Sequence, residues 1–150
     1  MIFSVNSEGD TARLAQAFSQ GLQSGISVGL SGDLGSGKTT FVRYLVGALG
    51  GKESSVSSPS YTLEHEYPVA GVRTIDHWDL YRISELPEDL FEPPANDVIQ
   101  LIEWPERCSE LLDRLDLIIR FEVTASGDRI VSLEGPEAGR VGTLVHGRYR

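Results

Sequence analysis

Apolar residues recur along the chain with the period of a helix in some segments and of a strand in others. A helical pattern follows the capping side chains of residues 7–10 and stops at Gly25. The apolar run 26–30 then indicates a short strand, and a glycine-rich turn follows it. A second helical pattern ends at Gly50. The amino-terminal part therefore predicts a helix, a strand, a turn and a second helix.

The middle of the chain changes to loop and strand patterns. Residues 51–60 are rich in serine and predict a loop. Segments 61–67 and 72–78 alternate between apolar and polar positions on either side of a turn at 68–71. This arrangement predicts an antiparallel hairpin. The segment 86–90 has the composition of a short helical turn.

The last third of the chain has mostly strand patterns. Residues 98–104 predict a strand with an acid near its end, and Pro105 is a favourable first residue for a following helix. Strict alternation over 115–123, a turn at 126–128 and the apolar run 130–133 predict a second hairpin. Parallel and antiparallel pairing are therefore both expected.

These elements predict one α/β domain with a mixed sheet. A chain of 150 residues, 40% of them hydrophobic, has the size of a single globular domain with one core. We expect the tail 135–150, which is rich in glycine and arginine, to be either an edge strand or a frayed terminus.

Charge and cysteine content limit the classes of function. The net charge of −9 and the pI near 4.7 disfavour direct binding to a nucleic-acid backbone. Cys108 is the single cysteine and cannot form an intrachain disulfide, and the amino terminus lacks the pattern of a signal peptide. The longest apolar run, 115–119, is too short to cross a bilayer. We therefore expect a cytoplasmic protein, and the three histidines show no zinc-ligand spacing.

The glycine-rich turn, Gly32-Asp33-Leu34-Gly35-Ser36-Gly37-Lys38-Thr39, matches the phosphate-binding pattern of P-loop proteins. Small residues allow backbone N–H groups to converge on an anion at the start of the following helix. We expect the Lys38 ammonium to reach the terminal phosphates and the Thr39 hydroxyl to ligate Mg²⁺. The predicted ligands are therefore ATP and Mg²⁺. The residues expected to bind the nucleotide are Gly35, Ser36, Gly37, Lys38, Thr39 and Thr40.

Three further segments, in this order, resemble the TsaE (YjeE) family: Ser58-Pro59-Ser60-Tyr61-Thr62-Leu63, His77-Trp78-Asp79-Leu80-Tyr81-Arg82 and Leu101-Ile102-Glu103-Trp104-Pro105-Glu106. With Thr11 in the first helix, the resemblance covers about residues 7–107. It implies a three-layer P-loop fold and a Mg²⁺-dependent ATPase. It also implies TsaB and TsaD as partners in the synthesis of threonylcarbamoyladenosine on tRNA, with tRNA engaged only indirectly.

The resemblance implies catalytic roles for Lys38, Asp79 and Glu103. Glu103 is expected to act on Mg²⁺ together with Thr39, because an apolar strand can deliver a carboxylate beside the phosphate loop. The alternative for Glu103 is a solvated acid at a strand end. Asp79 is expected to orient water or the metal shell, or else to pair with a basic residue such as Arg82.

Other positions carry implied roles in nucleotide sensing and binding. Ser60 and Thr62 match a switch that responds to the γ-phosphate, although an ordinary turn could also place hydroxyls there. Thr11 and Arg129 match positions that approach the nucleotide. We expect Tyr81 and Trp104 to pack or contact a partner, and His77 to pack or hydrogen-bond within its hairpin. The segment 91–96 is short and proline-rich where the family commonly has a longer helical segment.

Other functions are compatible with the phosphate loop alone. A small-molecule kinase would use the same lysine and threonine but would need an acceptor pocket and an arginine-bearing lid, and no arginine-rich insertion stands between residues 83 and 128. A GTPase is less favoured because the chain lacks an Asn-Lys-x-Asp segment. A nucleotide-dependent interaction module with little turnover is the remaining alternative.

Overall fold

In the computed structural model, which describes residues 1–56, 64–70, 73–83, 85 and 87–149, seven strands form one mixed sheet. The strands are β1 (Ile2–Val5), β2 (Ser27–Ser31), β3 (Glu64–Pro68), β4 (Thr74–Asp79), β5 (Val98–Glu103), β6 (Leu117–Val123) and β7 (Arg129–Glu134). They are ordered β1-β7-β6-β2-β5-β4-β3. The four central strands are parallel, and β3, β7 and β1 pair antiparallel at the edges. The predicted α/β class and mixed sheet are confirmed.

The helices are α1 (Glu8–Gly21), α2 (Lys38–Ala48), α3 (Ser109–Leu112) and α4 (Ala138–Arg148), with 3-10 turns at Glu53–Ser55, Glu88–Phe91 and Pro105–Arg107. The start of α1 was predicted because Ser7 is a good cap, and its side chain accepts a hydrogen bond from the Asp10 amide at 3.1 Å. The helix predicted from Pro105 is reduced to a 3-10 turn followed by the short α3.

Two apolar cores lie on opposite faces of the sheet, which gives the three layers expected. The larger core joins the inward faces of α1, α2 and α4 to strand residues such as Ile75, Ile99 and Leu101. The smaller core joins Leu111 of α3 to strand residues such as Ile102. Because successive strand residues point to opposite faces, β4, β5 and β6 contribute to both cores.

The register of the parallel strands places two acids side by side. Asp79, the last residue of β4, pairs with Glu103, the last residue of β5, and Glu103 pairs with Leu30 of β2 on its other side. Asp79 and Glu103 therefore share the face that α2 covers. The carboxyl ends of adjacent parallel strands are where α/β proteins commonly build their sites.

Two terminal elements differ from the sequence expectation. The tail is neither an edge strand nor frayed, so that prediction is wrong, and residues 138–148 form α4. Val141 and Val145 lie one turn apart and are fully buried in the core with α1, which explains why the helix is stable. The edge strand next to β7 is instead β1, whose Phe3 and Val5 point into the core.

Among the helices of the described residues, none has the length and apolar character that a membrane crossing requires.

Candidate nucleotide site

The phosphate loop connects the carboxyl end of β2 to the amino end of α2. Gly37 caps α2 in the left-handed region, with φ of 107°, a conformation that favours glycine. Gly32 is required for a steric reason, since a Cβ there would lie 2.6 Å from the Phe121 carbonyl oxygen. No described atom beyond the adjacent residues lies within 4 Å of the Cβ position at Gly35 or Gly37. The loop is therefore shaped by glycine and open on the side of these two residues.

Ser36, Gly37, Thr11 and Arg129 are brought together around a narrow cleft beside the loop. The Ser36 hydroxyl oxygen is buried, and it has no hydrogen-bond partner in the described parts of the chain. Thr11 donates its hydroxyl to the Ser7 carbonyl at 3.4 Å. Arg129 is the exposed first residue of β7. Residues that are far apart in sequence thus meet at the phosphate loop.

Lys38 is buried, with 5% of its surface exposed, although lysine is normally solvated. Its ammonium donates to the Gly32 carbonyl and lies 3.6 Å from the centre of the Trp104 ring. Burial lowers the pKa of Lys38, and the nearby acids Glu103, Glu106, Asp79 and Asp33 oppose that shift. The lysine is held inside the loop by a carbonyl and an aromatic face.

Glu103 belongs to a chain of hydrogen-bonded side chains that spans three strands and α2. Its Oε1 accepts from the Thr39 hydroxyl at 3.5 Å, and its Oε2 lies 2.6 Å from His77 Nε2. His77 Nδ1 lies 3.1 Å from the Tyr67 hydroxyl. His77 and Glu103 are 0% and 2% exposed, so this Glu103 is not the solvated acid of the alternative reading.

The hydrogen-bonding roles in this chain follow from its chemistry. An ionised carboxylate only accepts, so Nε2 of His77 carries the proton toward Glu103. With the imidazole neutral, Nδ1 accepts from the Tyr67 hydroxyl. Burial raises the pKa of Tyr67 to about 12, which keeps the phenol protonated as the donor. His77 thus fixes the orientation of Glu103.

Asp79 lies beside Glu103 at the end of β4. Its Oδ1 accepts from the Tyr81 amide at 2.9 Å. Within the described residues it forms no ion pair with Arg82. Burial raises the pKa of Asp79, and the charge of Glu103 acts in the same direction.

Trp104 has a more specific place than the packing role expected. It is the one described non-glycine residue with positive φ, 60°, and its ring covers Lys38. Its ring centre lies 4.8 Å from that of Tyr81.

Sequence reasoning assigned no role in the site to His77, but one signal was present. His77 and Asp79 are two residues apart on β4, so both face the same side of the sheet. This spacing indicates that His77 is a polar residue at a buried position.

The remaining predicted positions are placed as follows. Thr40 lies in the first turn of α2, and its hydroxyl accepts from Arg43 Nη2 at 3.3 Å. Ser60 and Thr62, the predicted switch hydroxyls, lie outside the described residues.

Comparison with known proteins gives consistent relatives. The profile of the family described as "Threonylcarbamoyl adenosine biosynthesis protein TsaE" matches residues 5–131. Proteins named tRNA threonylcarbamoyladenosine biosynthesis protein TsaE are 35% identical in Rickettsia conorii, over 86% of this chain and 75% of the relative, and 36% identical in Aquifex aeolicus, over 86% and 92%. The Haemophilus influenzae protein of that name is 40% identical over 65% of this chain and 63% of its own length.

A solved structure supports the fold independently. The crystal structure of Bacillus subtilis YdiB superposes with a TM-score of 0.69 at 22% identity, covering 100% of this chain and 96% of that one. At this identity the likeness bears on the fold, and it agrees with the three-layer arrangement around the phosphate loop. Because the family profile spans most of the chain and several relatives match over most of their length, this chain belongs to the TsaE family.

Proposed function

We propose that this protein is a Mg²⁺-dependent ATPase that supports threonylcarbamoyladenosine synthesis on tRNA by acting with TsaB and TsaD. The observation that carries the proposal is the meeting of three groups from two distant parts of the chain. Lys38 and Thr39 of the phosphate loop lie beside Glu103, the acid at the end of a neighbouring parallel strand. P-loop enzymes use this combination of lysine, hydroxyl and acid on nucleoside triphosphates.

The loop residues fit a bound phosphate group. The buried Ser36 hydroxyl lacks a partner among the described residues, and a buried polar group without a partner is normally costly. The open space at Gly35 and Gly37 lies at the amino end of α2, where backbone N–H groups favour an anion. A phosphate would therefore meet an unsatisfied hydroxyl and the positive end of a helix.

The contact that holds the Lys38 ammonium in the loop is one that a phosphate could replace. In the structure its ammonium donates to the Gly32 carbonyl, a neutral acceptor, while Trp104 covers it. A phosphate oxygen is a stronger, charged acceptor than a carbonyl. Substrate binding should therefore draw the ammonium from Gly32 onto the β- and γ-phosphates, with little loss of solvation because the group is already buried.

Thr39 and Glu103 are the residues that would hold Mg²⁺, since both present the oxygen ligands that this ion prefers. Bound Mg²⁺ would neutralise charge on the phosphate oxygens. The task of the protein is to keep Glu103 oriented, and His77 does so by donating to its second oxygen. Asp79, whose pKa is raised by burial, lies next to Glu103, where it can position a water molecule or complete the metal shell.

The names of the relatives and the charge of the chain support the proposal that the protein acts with partners. The relatives are named for threonylcarbamoyladenosine biosynthesis on tRNA. The net charge of −9 is unfavourable for gripping tRNA directly. We therefore place the protein in contact with the TsaB–TsaD complex, which carries out the transfer, and assign ATP turnover to this chain.

The test is an ATP hydrolysis assay with and without purified TsaB–TsaD, repeated with a panel of phosphate acceptors. We expect slow release of inorganic phosphate by the isolated protein and faster release with the partners. Phosphoryl transfer to an acceptor would establish a kinase instead. Nucleotide binding without turnover in either condition would leave an interaction module and reject the ATPase.

A further inference from the structure

A second cavity lies at the amino ends of the central strands, away from the phosphate loop. It has a volume of about 400 Å³. Its walls include buried Leu90, Leu111 and Leu115 of the smaller core, and the proline-rich segment 91–94 forms part of its lining. This cavity is on the face of the sheet opposite α1 and α2, so it is distinct from the nucleotide site.

The strand side of the cavity carries a polar row set by the parallel register. Ser27, the first residue of β2, pairs with Gln100 of β5, and Asp116 precedes β6. Ser27 and Asp116 satisfy each other, because Asp116 Oδ2 accepts from the Ser27 amide at 2.9 Å and from its hydroxyl at 3.1 Å. These two residues need no ligand.

Gln100 differs from its neighbours in this row. It is 5% exposed, and its carboxamide makes no hydrogen bond within the described parts of the chain. A carboxamide offers two donors and an acceptor, and those of Gln100 are not sealed off from solvent, because the buried polar atoms without a partner among the described residues are Ser36 Oγ and Asp76 Oδ1. Gln100 also lines the cavity. The carboxamide is therefore available to a molecule that enters it.

The lining restricts the chemistry of such a molecule. A volume of this size is in the range of small-molecule sites. The charged residues around it are Arg114, Glu92 and Asp116, and the Arg114 guanidinium already donates to the Phe91 carbonyl and lies 5.5 Å from the Phe91 ring centre. The lining therefore offers no surplus of positive charge to an anion. Apolar walls and one open carboxamide suit a neutral planar ligand.

We propose that this cavity binds a small neutral heterocycle of the nucleobase type, held by a two-point hydrogen bond with Gln100. A glutamine carboxamide pairs in this way with adjacent donor and acceptor groups, as it does with the N6 and N7 positions of adenine. The ring would then be buried against the leucine walls.

Adenine is the probe, and purine, which lacks the exocyclic amine, is its matched control. Each is titrated into ¹⁵N-labelled protein saturated with MgADP, and amide shifts are followed by NMR. We expect saturable shifts at Gly25, Ser27 and Leu115, with purine about tenfold weaker. Saturable shifts confined to residues 35–39, equal affinities for the two probes, or no saturation would overturn the proposal.

Gln100→Met tests the proposed contact, because methionine keeps the shape of the side chain and removes its polar atoms. We expect adenine affinity to fall about tenfold, to the level of purine. Exposed Gln23→Met is the control and should leave adenine affinity unchanged. Unchanged adenine affinity in a folded Gln100→Met protein would remove Gln100 from any binding site.

Discussion

Glu103 and Gln100 lie three residues apart on β5 and differ in how their polar atoms are satisfied. Both are almost fully buried, with 2% and 5% exposed. Glu103 faces α2 and has His77 and Thr39 as partners, whereas Gln100 faces the other side of the sheet and has no side-chain partner in the described residues. Alternation along the strand separates them, so one strand serves two regions.

This contrast shows that burial alone does not reveal the function of a polar residue. The candidate nucleotide site is held in shape by the protein itself, since the carboxylate, imidazole and phenol are already linked to one another. Such preorganisation favours catalysis because the groups do not have to reorient during the reaction. The cavity at Gln100 instead leaves hydrogen-bonding capacity open, which is typical of recognition.

The largest effect is expected for Lys38→Ala. Losing a charge-assisted bond to the phosphates should weaken MgATP binding about 100-fold or more, measured by calorimetry. Lys52→Ala is the matched control, because it removes the other lysine of the chain from an exposed position. Equal affinity of the Lys38→Ala and wild-type proteins would show that the nucleotide does not bind at the loop.

Glu103→Gln should separate binding from turnover. The amide can still accept from His77 Nε2, so the fold is retained, but the negative charge near the γ-phosphate is lost. We expect kcat for ATP hydrolysis to fall roughly 100-fold while the ADP dissociation constant stays within about threefold. The control is Glu122→Gln at an exposed position of β6, which should behave as wild type. Unchanged turnover in Glu103→Gln would return this residue to a structural role.

The difference between the two sites also explains what the sequence could predict. The candidate phosphate loop could be predicted from local residues because phosphate binding requires glycines, a lysine and a hydroxyl at fixed spacing. The position of Glu103 beside this loop needed only the rule that parallel strands have their carboxyl ends at one edge of the sheet. The α/β class followed from the alternation of helix and strand periods.

The remaining features depend on contacts that no local pattern encodes. His77 and Glu103 are 26 residues apart and meet only through the register of β4 with β5. The weak apolar pattern of α4, interrupted by glycines, becomes helical because it packs on α1. The missing partner of Gln100 is visible only when every neighbouring side chain has been placed.

A smaller effect is expected in partner binding. Asp79 and the predicted switch at Ser60 and Thr62 are the groups that would sense the γ-phosphate, so the protein should bind TsaB–TsaD more tightly with a non-hydrolysable ATP analogue than with ADP. A coupling of about 1 to 3 kcal/mol corresponds to roughly 5- to 150-fold in affinity. Titration in each nucleotide measures it, and Lys38→Ala should abolish the difference. Equal affinities would reject the switch, and no binding in either state would argue against the partnership.

The smallest effect, and the sharpest test of preorganisation, is Tyr67→Phe, which removes only the hydroxyl that donates to His77. At pH 7 the variant should lose about 1 kcal/mol in the free energy of unfolding, the usual value of a neutral hydrogen bond. The pKa of Tyr67 is about 12 in the folded protein and 10.0 ordinarily. The raised folded value means that this stabilisation is complete below pH 10 and is lost as the pH rises toward 12. At pH 10.5, ionisation of Tyr67 stabilises the unfolded wild-type protein by about 0.8 kcal/mol, which offsets most of the hydrogen bond. The wild-type and Tyr67→Phe proteins should therefore have nearly equal free energies of unfolding at that pH. Urea denaturation at both pH values measures the gap, that is, the difference in the free energy of unfolding between the wild-type and Tyr67→Phe proteins. A gap of constant size would mean that the phenol is not held as the protonated donor to His77, and that Glu103 is oriented without it.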